Sequence, residues 1–440
     1  MTRLLVPLLA ACLAVLTPLP GFAGPEGPTP DGGKVIVLFR TGTDVSQRDR
    51  IVRRAGALPR RHFSSVSATA VDLPSPALRT FLEQDPDVVA VIPDRPVQMH
   101  AKPGGKPGGG GSIQVVPAGV QRIGAAPGTL VWTGVGVGVA IVDTGLDFAH
   151  ADLQPLGLAC FTAYTACQDD NGHGTHVGGI VAARNNTRDV VGVAPDAVLH
   201  AVKVLDASGS GSDSTVMAGL DWVAQNAESL AIHVVNMSLG RPGTLDDNPA
   251  LRAIVQALHA QGISVVVSAG NDQTTEVSQQ VPATYPEVLA VASTTALTGS
   301  NSCRFLPGAI AKDTASWFTT DGVFDTATGS GVTISAPGED QENVNRGCFI
   351  QTVGILSTRL GGGTTRMAGT SMSAPHVTGV VALMWEQALS GSATLAPEDA
   401  RAAIRGRADR VDAAPLDSPT TSYSFDGERE GVLWAPGALN

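Results

Sequence analysis

After residue 130 the chain is punctuated by five short, almost wholly apolar runs: Gly138 to Val142, Leu199 to Val204, His233 to Met237, Ile263 to Ser268 and Val288 to Ala292. The segments between them carry amphipathic helical patterns, with helix starts predicted near His173, Asp213, Asn248 and Ser371. A strand without alternating polar positions is one buried on both faces. Such strands separated by helices predict an α/β fold with a mainly parallel sheet. In sheets of this kind, reactive side chains collect at the carboxyl ends of the strands and at the adjoining helix starts.

The first hundred residues have a different rhythm. From Lys34 to about Met99, KVIVLFR, SQRDRIVRRAGA, SATAVDL, PALRTFLEQDP and DVVAVIPD read as strand, helix, strand, helix, strand, a small α+β domain assigned to residues 34–100. Residues 101–112, AKPGGKPGGGGS, have nothing to bury and the composition of a flexible linker. The main domain is placed at 113–411 and a polar tail at 412–440, either a docking tail or disordered.

Residues 1–23 combine Arg3, an apolar run from Leu4 to Leu16 and small residues around Ala23, the pattern of a secretory signal peptide. Pro7, Pro18 and Pro20 break the run, which is short for a membrane span. Leu9-Ala10-Ala11-Cys12 looks like a bacterial lipobox, and lipid attachment at Cys12 is the second reading. Export leaves Cys160, Cys167, Cys303 and Cys348, an even number that favours disulfides. Three pairings are open. Cys160 with Cys167 and Cys303 with Cys348 is favoured, because each pair then lies within one connecting segment; a zinc site lacks any CxxC spacing. The net charge of −11 gives no basic face for nucleic acid.

Three segments carry the chemistry: VAIVDTGLDFAHADL with Asp143 after a strand, NGHGTHVGGIVAA with His173 opening a helix, and GTSMSAPHVTGVVALM with Ser371 opening another. Acyl transfer at neutral pH needs a hydroxyl nucleophile, an imidazole base and a carboxylate that orients the base, and these are those three residue types. Alone, the Asp is more often a turn or cap residue and the His a surface group. Ser371 at a helix N-terminus also directs backbone N–H groups towards a developing oxyanion.

Together, and in this order, the three segments resemble the Asp, His and Ser signatures of the subtilisin-like serine protease family over about Ile113 to Arg410. The resemblance implies the three-layer subtilisin-like fold and a serine endopeptidase, a monomer acting on protein or peptide substrates. It implies Asn271, in VVVSAGND, as side-chain donor of the oxyanion hole, and reads His176 and His376 as structural. Gly209-Ser210-Gly211 and Ser238-Leu239-Gly240 resemble the family's two substrate-binding strands. Gln114, Asp152 and the loop ARNNTRDVVGVAP resemble a calcium site, with side-chain ligands Gln114, Asp152 and Asn186 and carbonyls of Arg184, Arg188 and Val190. The small domain resembles the family's inhibitory, self-cleaved propeptide; its tail DVVAVIPDRPVQMHA would lie in the active site, with cleavage between about Gln98 and Gln114.

The chain departs from the family pattern around SNSCRFLPGAIAKDTASWFTTDG and around Cys348, and Gln280 occupies a stretch that would line the S1 pocket. Three other functions compete: a narrow processing protease, a catalytically dead scaffold and an oxygen-ester hydrolase.

Overall fold

The computed structural model describes residues 33–103, 113–154, 156–157, 159–419 and 426–440. The predicted signal peptide with Cys12, and most of the linker, lie outside the described residues. The main body is a ten-stranded sheet. Its central strands, Phe161–Thr162, Val198–Lys203, Gly138–Asp143, Ile232–Met237, Ser264–Ser268, Val288–Thr295 and Val332–Val344, run parallel in that spatial order. All five predicted strands are present within a residue or two at their starts, and the expected α/β class holds. Along Gly138–Asp143, Val139 and Ile141 enter one hydrophobic core while Ala140 and Val142 enter the other. Burial on both faces is why no polar alternation marked these strands.

Helices His173–Ala182 and Thr370–Ser390 cover one face, and Asp213–Asn226 and Pro249–Ala260 the other. Asn248 caps the last of these, its side chain accepting from Leu251 N–H at 2.9 Å. Beyond Val332–Val344 the sheet continues antiparallel through Ile350–Thr358 and Thr364–Ala368. This hairpin was not predicted, because Glu339, Asp340 and Glu342 make a buried strand read as a polar loop. The Cys160–Cys167 and Cys303–Cys348 disulfides are both formed, the second tying the loop before Val332–Val344 to that strand's far end.

Desolvation raises Glu339 well above the usual carboxyl range, and the neighbouring Glu342 raises it further. Burial raises Glu342 as well. A carboxyl raised on folding contributes stability that fades as pH climbs from the unfolded value through the folded one. Glu339→Gln is therefore expected to raise the thermal midpoint at pH 9 by a few degrees and to leave it little changed at pH 5, as scanning calorimetry would show.

The C-terminal segment is not a tail outside the domain. Val432 and Leu433 are fully buried, Leu433 N–H donates to Ser335 O at 2.9 Å, and helix Ala435–Ala438 packs into the main core. So short an apolar stretch shows no period, and its burial was not legible.

The small unit is a four-stranded antiparallel sheet in the order Leu58–His62, Ala68–Asp72, Lys34–Phe39, Val88–Pro93. Val45–Arg54 and Ala77–Glu83 close one face around Val37, Val52 and Leu82. The other face, with Ile36, Ala70 and Ile92, joins the core over helices Asp213–Asn226 and Pro249–Ala260. Polar contacts fix this docking: Asp221 accepts from the backbone of Ser64 and Ser65, and Asp94 caps helix Asp213–Asn226 through Ser214. From there the chain runs on as strand Pro96–Met99 towards the carboxyl ends of the parallel strands.

Candidate active site

Asp143 ends strand Gly138–Asp143, and His173 is the first residue of its helix. Gly172 enters that helix at φ 105°, a left-handed conformation that favours glycine. Asp169 accepts from Gly172 N–H and Thr175 N–H at 2.9 Å each, a carboxylate set against the helix N-terminus. The helix is thereby pinned so that His173 Nδ1 lies 2.8 and 2.9 Å from the two Asp143 carboxylate oxygens. Both side chains are fully buried. This contact fixes the tautomer that leaves Nε2 free to act as a base.

Ser371 lies one residue into helix Thr370–Ser390, and Pro375 stands four residues later. Proline has no N–H, so the Ser371 carbonyl has no helical donor. Ser238 Oγ fills that place at 2.9 Å, while Ser371 Oγ donates to Ser238 O at 3.0 Å. His173 Nε2 is buried and has no hydrogen-bond partner among the described residues. The nucleophile–base hydrogen bond is therefore not made in this state.

Asn271 follows strand Ser264–Ser268 across Ala269-Gly270, and its Oδ1 accepts from both Thr370 N–H and Thr370 Oγ1 at 2.9 Å. With its oxygen so occupied, the amide nitrogen faces Gly369. A methyl group at Gly369 would sit 2.8 Å from Asn271 Nδ2 and 2.2 Å from the carbonyl oxygen of His100. Ser371 N–H donates to that same oxygen at 3.2 Å. One N–H thus donates to this carbonyl at a helix N-terminus, and the Asn271 amide nitrogen faces the same Gly369, an arrangement that could serve as an oxyanion hole.

His100 arrives on strand Pro96–Met99, which lies antiparallel between Ser210–Ser212 and Leu239–Pro242. Ser210 pairs with Gln98, Gly211 with Val97, Leu239 with Met99 and Gly240 with Gln98. Met99 N–H donates to Gly209 O at 3.1 Å and His100 N–H to Ser238 O at 3.3 Å. All six residues expected to bind substrate therefore touch one extended segment, by main-chain bonds that any peptide could make. Past His100, Lys102–Pro103 pairs with Ala368 and Met367, so the chain crosses the nucleophile with both sides held.

His176 and His376 are buried and bonded to the carbonyls of Ile355 and Met372. Desolvation pushes them down to about 3 and about 4, so both stay neutral. Gln280 is buried against Gly270 and bonded to Thr275. Sequence reasoning missed Thr370, which orients Asn271, and Ser268, whose Oγ lies 2.9 Å from His100 Nδ1. Both belong to segments already singled out, but only the fold shows which neighbours they face.

At the far end of helix His173–Ala182, Gln114 Nε2 bonds to the carbonyls of Arg184 at 2.6 Å and Val190 at 3.0 Å. Buried Asp152 accepts from Asn186 Nδ2 at 2.7 Å and Val190 N–H at 3.1 Å. Desolvation raises the Asp152 carboxyl. Arg188 contributes its N–H, to Asn186 Oδ1. Among the described residues no group of three or more His, Cys, Asp or Glu is arranged to hold a metal. The donors gathered here are instead one carboxylate, two side-chain amides and backbone carbonyls, a set that fits calcium once the amides turn their oxygens inward.

A buried Asp–His pair, and a serine at a helix start whose N–H donates to a carbonyl, define a serine hydrolase of the triad class. The family model for the subtilase family, Peptidase S8, matches residues 134–424. Subtilisin E of Bacillus subtilis is 34% identical over 359 residues, 80% of each chain, and subtilisin Savinase of Lederbergia lenta is 37% identical over 273 residues, 62% of this chain and 84% of its own. The solved structure of fervidolysin from Fervidobacterium pennivorans, a keratinolytic enzyme related to subtilisin, superposes with a TM-score of 0.64 at 21% identity. That match covers 93% of this chain and 61% of fervidolysin, a likeness of fold alone. The chain belongs to the subtilase family and is a serine endopeptidase. Among the described residues no helix is long and apolar enough to cross a membrane.

Proposed function

We propose that this endopeptidase is exported behind the signal peptide 1–23 as a precursor, and that domain 34–100 inhibits the catalytic domain until the chain cuts itself. One observation supports the reading: strand Pro96–Met99 lies between the two segments expected to bind substrate and brings the His100 carbonyl to Ser371 N–H at 3.2 Å.

A rotamer change at Ser371 exchanges its bond to Ser238 O for one to His173 Nε2. Ser371 Oγ then attacks the scissile carbonyl carbon as its proton passes to His173, and Asp143 stabilises the imidazolium. The oxyanion is held by Ser371 N–H and Asn271 Nδ2. Collapse breaks the C–N bond, the leaving amine takes the proton from His173, and an ester remains on Ser371. Water, deprotonated by the same imidazole, hydrolyses the ester and restores the serine.

Wild-type precursor is expected to lose about its first hundred residues and then digest casein, as intact mass and a casein assay would show. A folded precursor that stays whole and inert contradicts the reading.

Gln114, Asp152 and Asn186, with the carbonyls of Arg184, Arg188 and Val190, would hold a structural calcium ion that ties the loop after helix His173–Ala182 to the start of the catalytic domain. A bound ion there would supply positive charge beside the buried Asp152 carboxylate. Chelation is expected to lower the thermal midpoint by several degrees, and Asp152→Asn to abolish that response; a midpoint indifferent to EDTA and to added calcium contradicts the site.

A further inference from the structure

The peptide bond that spans Ser371 is His100–Ala101. His100 O accepts from Ser371 N–H and lies over Gly369, which Asn271 Nδ2 also faces; residues before it pair with the strands on either side, and Lys102–Pro103 pairs beyond it. The side chain on the acyl side of the bond is therefore an imidazole, and its surroundings are specific. His100 Nδ1 lies 2.9 Å from Ser268 Oγ, and Ser268 is itself fully buried at the end of its strand.

Gly240 forms the wall. A methyl group there would lie 2.6 Å from His100 Cε1 and 3.1 Å from Nε2, so the ring occupies space that only glycine leaves. Gln280, packed on Gly270, is uncharged and turned to Thr275. The titratable group bearing on the ring is His173, itself paired with Asp143; among the described residues no carboxylate pairs with His100. Desolvation, with His173 repelling a second positive charge, pushes the imidazole down to about 4. A lysine or arginine in this pocket would bury a cation without a counterion, whereas an uncharged imidazole meets a hydroxyl able to donate or accept.

We propose that Ser268 is a specificity-determining residue of the acyl-side pocket, giving a preference for uncharged histidine before the scissile bond, used first on the chain's own His100–Ala101 bond. This rests on the endopeptidase reading above and adds to it the substrate side chain and the maturation bond. Edman sequencing of the mature chain is expected to begin at Ala101, and His100→Lys precursor to be processed at that bond about tenfold more slowly or worse.

The decisive test uses mature enzyme and peptides that differ only in the residue before the cut: His, Leu or Lys. At pH 8 wild type is expected to favour His over Lys by tenfold or more, and Ser268→Ala to lose about tenfold in kcat/KM on the His peptide and several-fold less on the Leu peptide. The wild-type His-to-Leu ratio should also fall as pH drops below about 6.5, where free histidine gains a proton that the pocket excludes. Equal losses on all three peptides, or no loss, overturn the assignment of Ser268 while leaving the endopeptidase intact. Failure of wild type to cut any peptide overturns both.

Discussion

Ser371→Ala is expected to lower peptide turnover by about a million-fold, the scale found when the nucleophile of subtilisin itself is removed, and to leave the precursor uncut. The whole of the proposed chemistry passes through one hydroxyl, so nothing else at the site replaces it. Asp143, His173 and the two N–H donors would still bind and polarise the carbonyl, and a small residual rate over water is expected from them. Adding His173→Ala to this variant should cost little more, since the two act as a unit. The uncut protein should fold normally, because among the described residues Ser371 Oγ donates only to Ser238 O in the resting state. Intact mass and a chromogenic peptide assay on the pair of variants check all of this.

Asn271→Ala is the next largest effect. Its amide nitrogen faces Gly369 beside the His100 carbonyl and is the proposed side-chain donor to the oxyanion; Thr370 N–H and Oγ1 hold it there by engaging its oxygen. Removing such a donor in subtilisin costs about 2.7–4 kcal/mol in the transition state, so kcat should fall by about a hundred- to a thousand-fold with KM nearly unchanged. A rise in KM alone would mean that Asn271 binds the ground state. Thr370→Val, which frees the amide to turn, is expected to move kcat in the same direction by a smaller factor. Steady-state kinetics on one peptide separates these outcomes.

What the sequence made legible follows from the kind of signal each element sends. Strands Gly138–Asp143 and Ser264–Ser268 are buried on both faces and announce themselves as apolar runs. Asp143, His173 and Ser371 stand in ordered motifs at strand ends and helix starts, where an α/β sheet puts its chemistry. The two segments proposed to bind substrate were found through resemblance, and the pairing of Pro96–Met99 with both gives that proposal a physical reason.

The remainder was hidden because it depends on partners distant in sequence. Glu339 and Glu342 lie in a buried strand although their residue type argues for a loop. Val432 and Leu433 are too few to make a pattern, and Leu433 joins a core built by residues of distant segments, from Val139 on the parallel sheet to Val381 and Ile404 on later helices. Residues 98 to 114 could be marked as the span holding the proposed scissile bond, but only the register against Gly209 and Ser238 singles out His100 as its acyl side. The side-chain preference likewise waited on seeing the imidazole meet Ser268.

The most direct test of the account is to treat the mature enzyme with a fluorophosphonate, which phosphorylates an activated serine hydroxyl, and to locate the adduct by peptide mass spectrometry. One equivalent on Ser371, with casein digestion lost in step, is the predicted result. An adduct on another serine, or an enzyme that still digests casein with Ser371 fully modified, would contradict it.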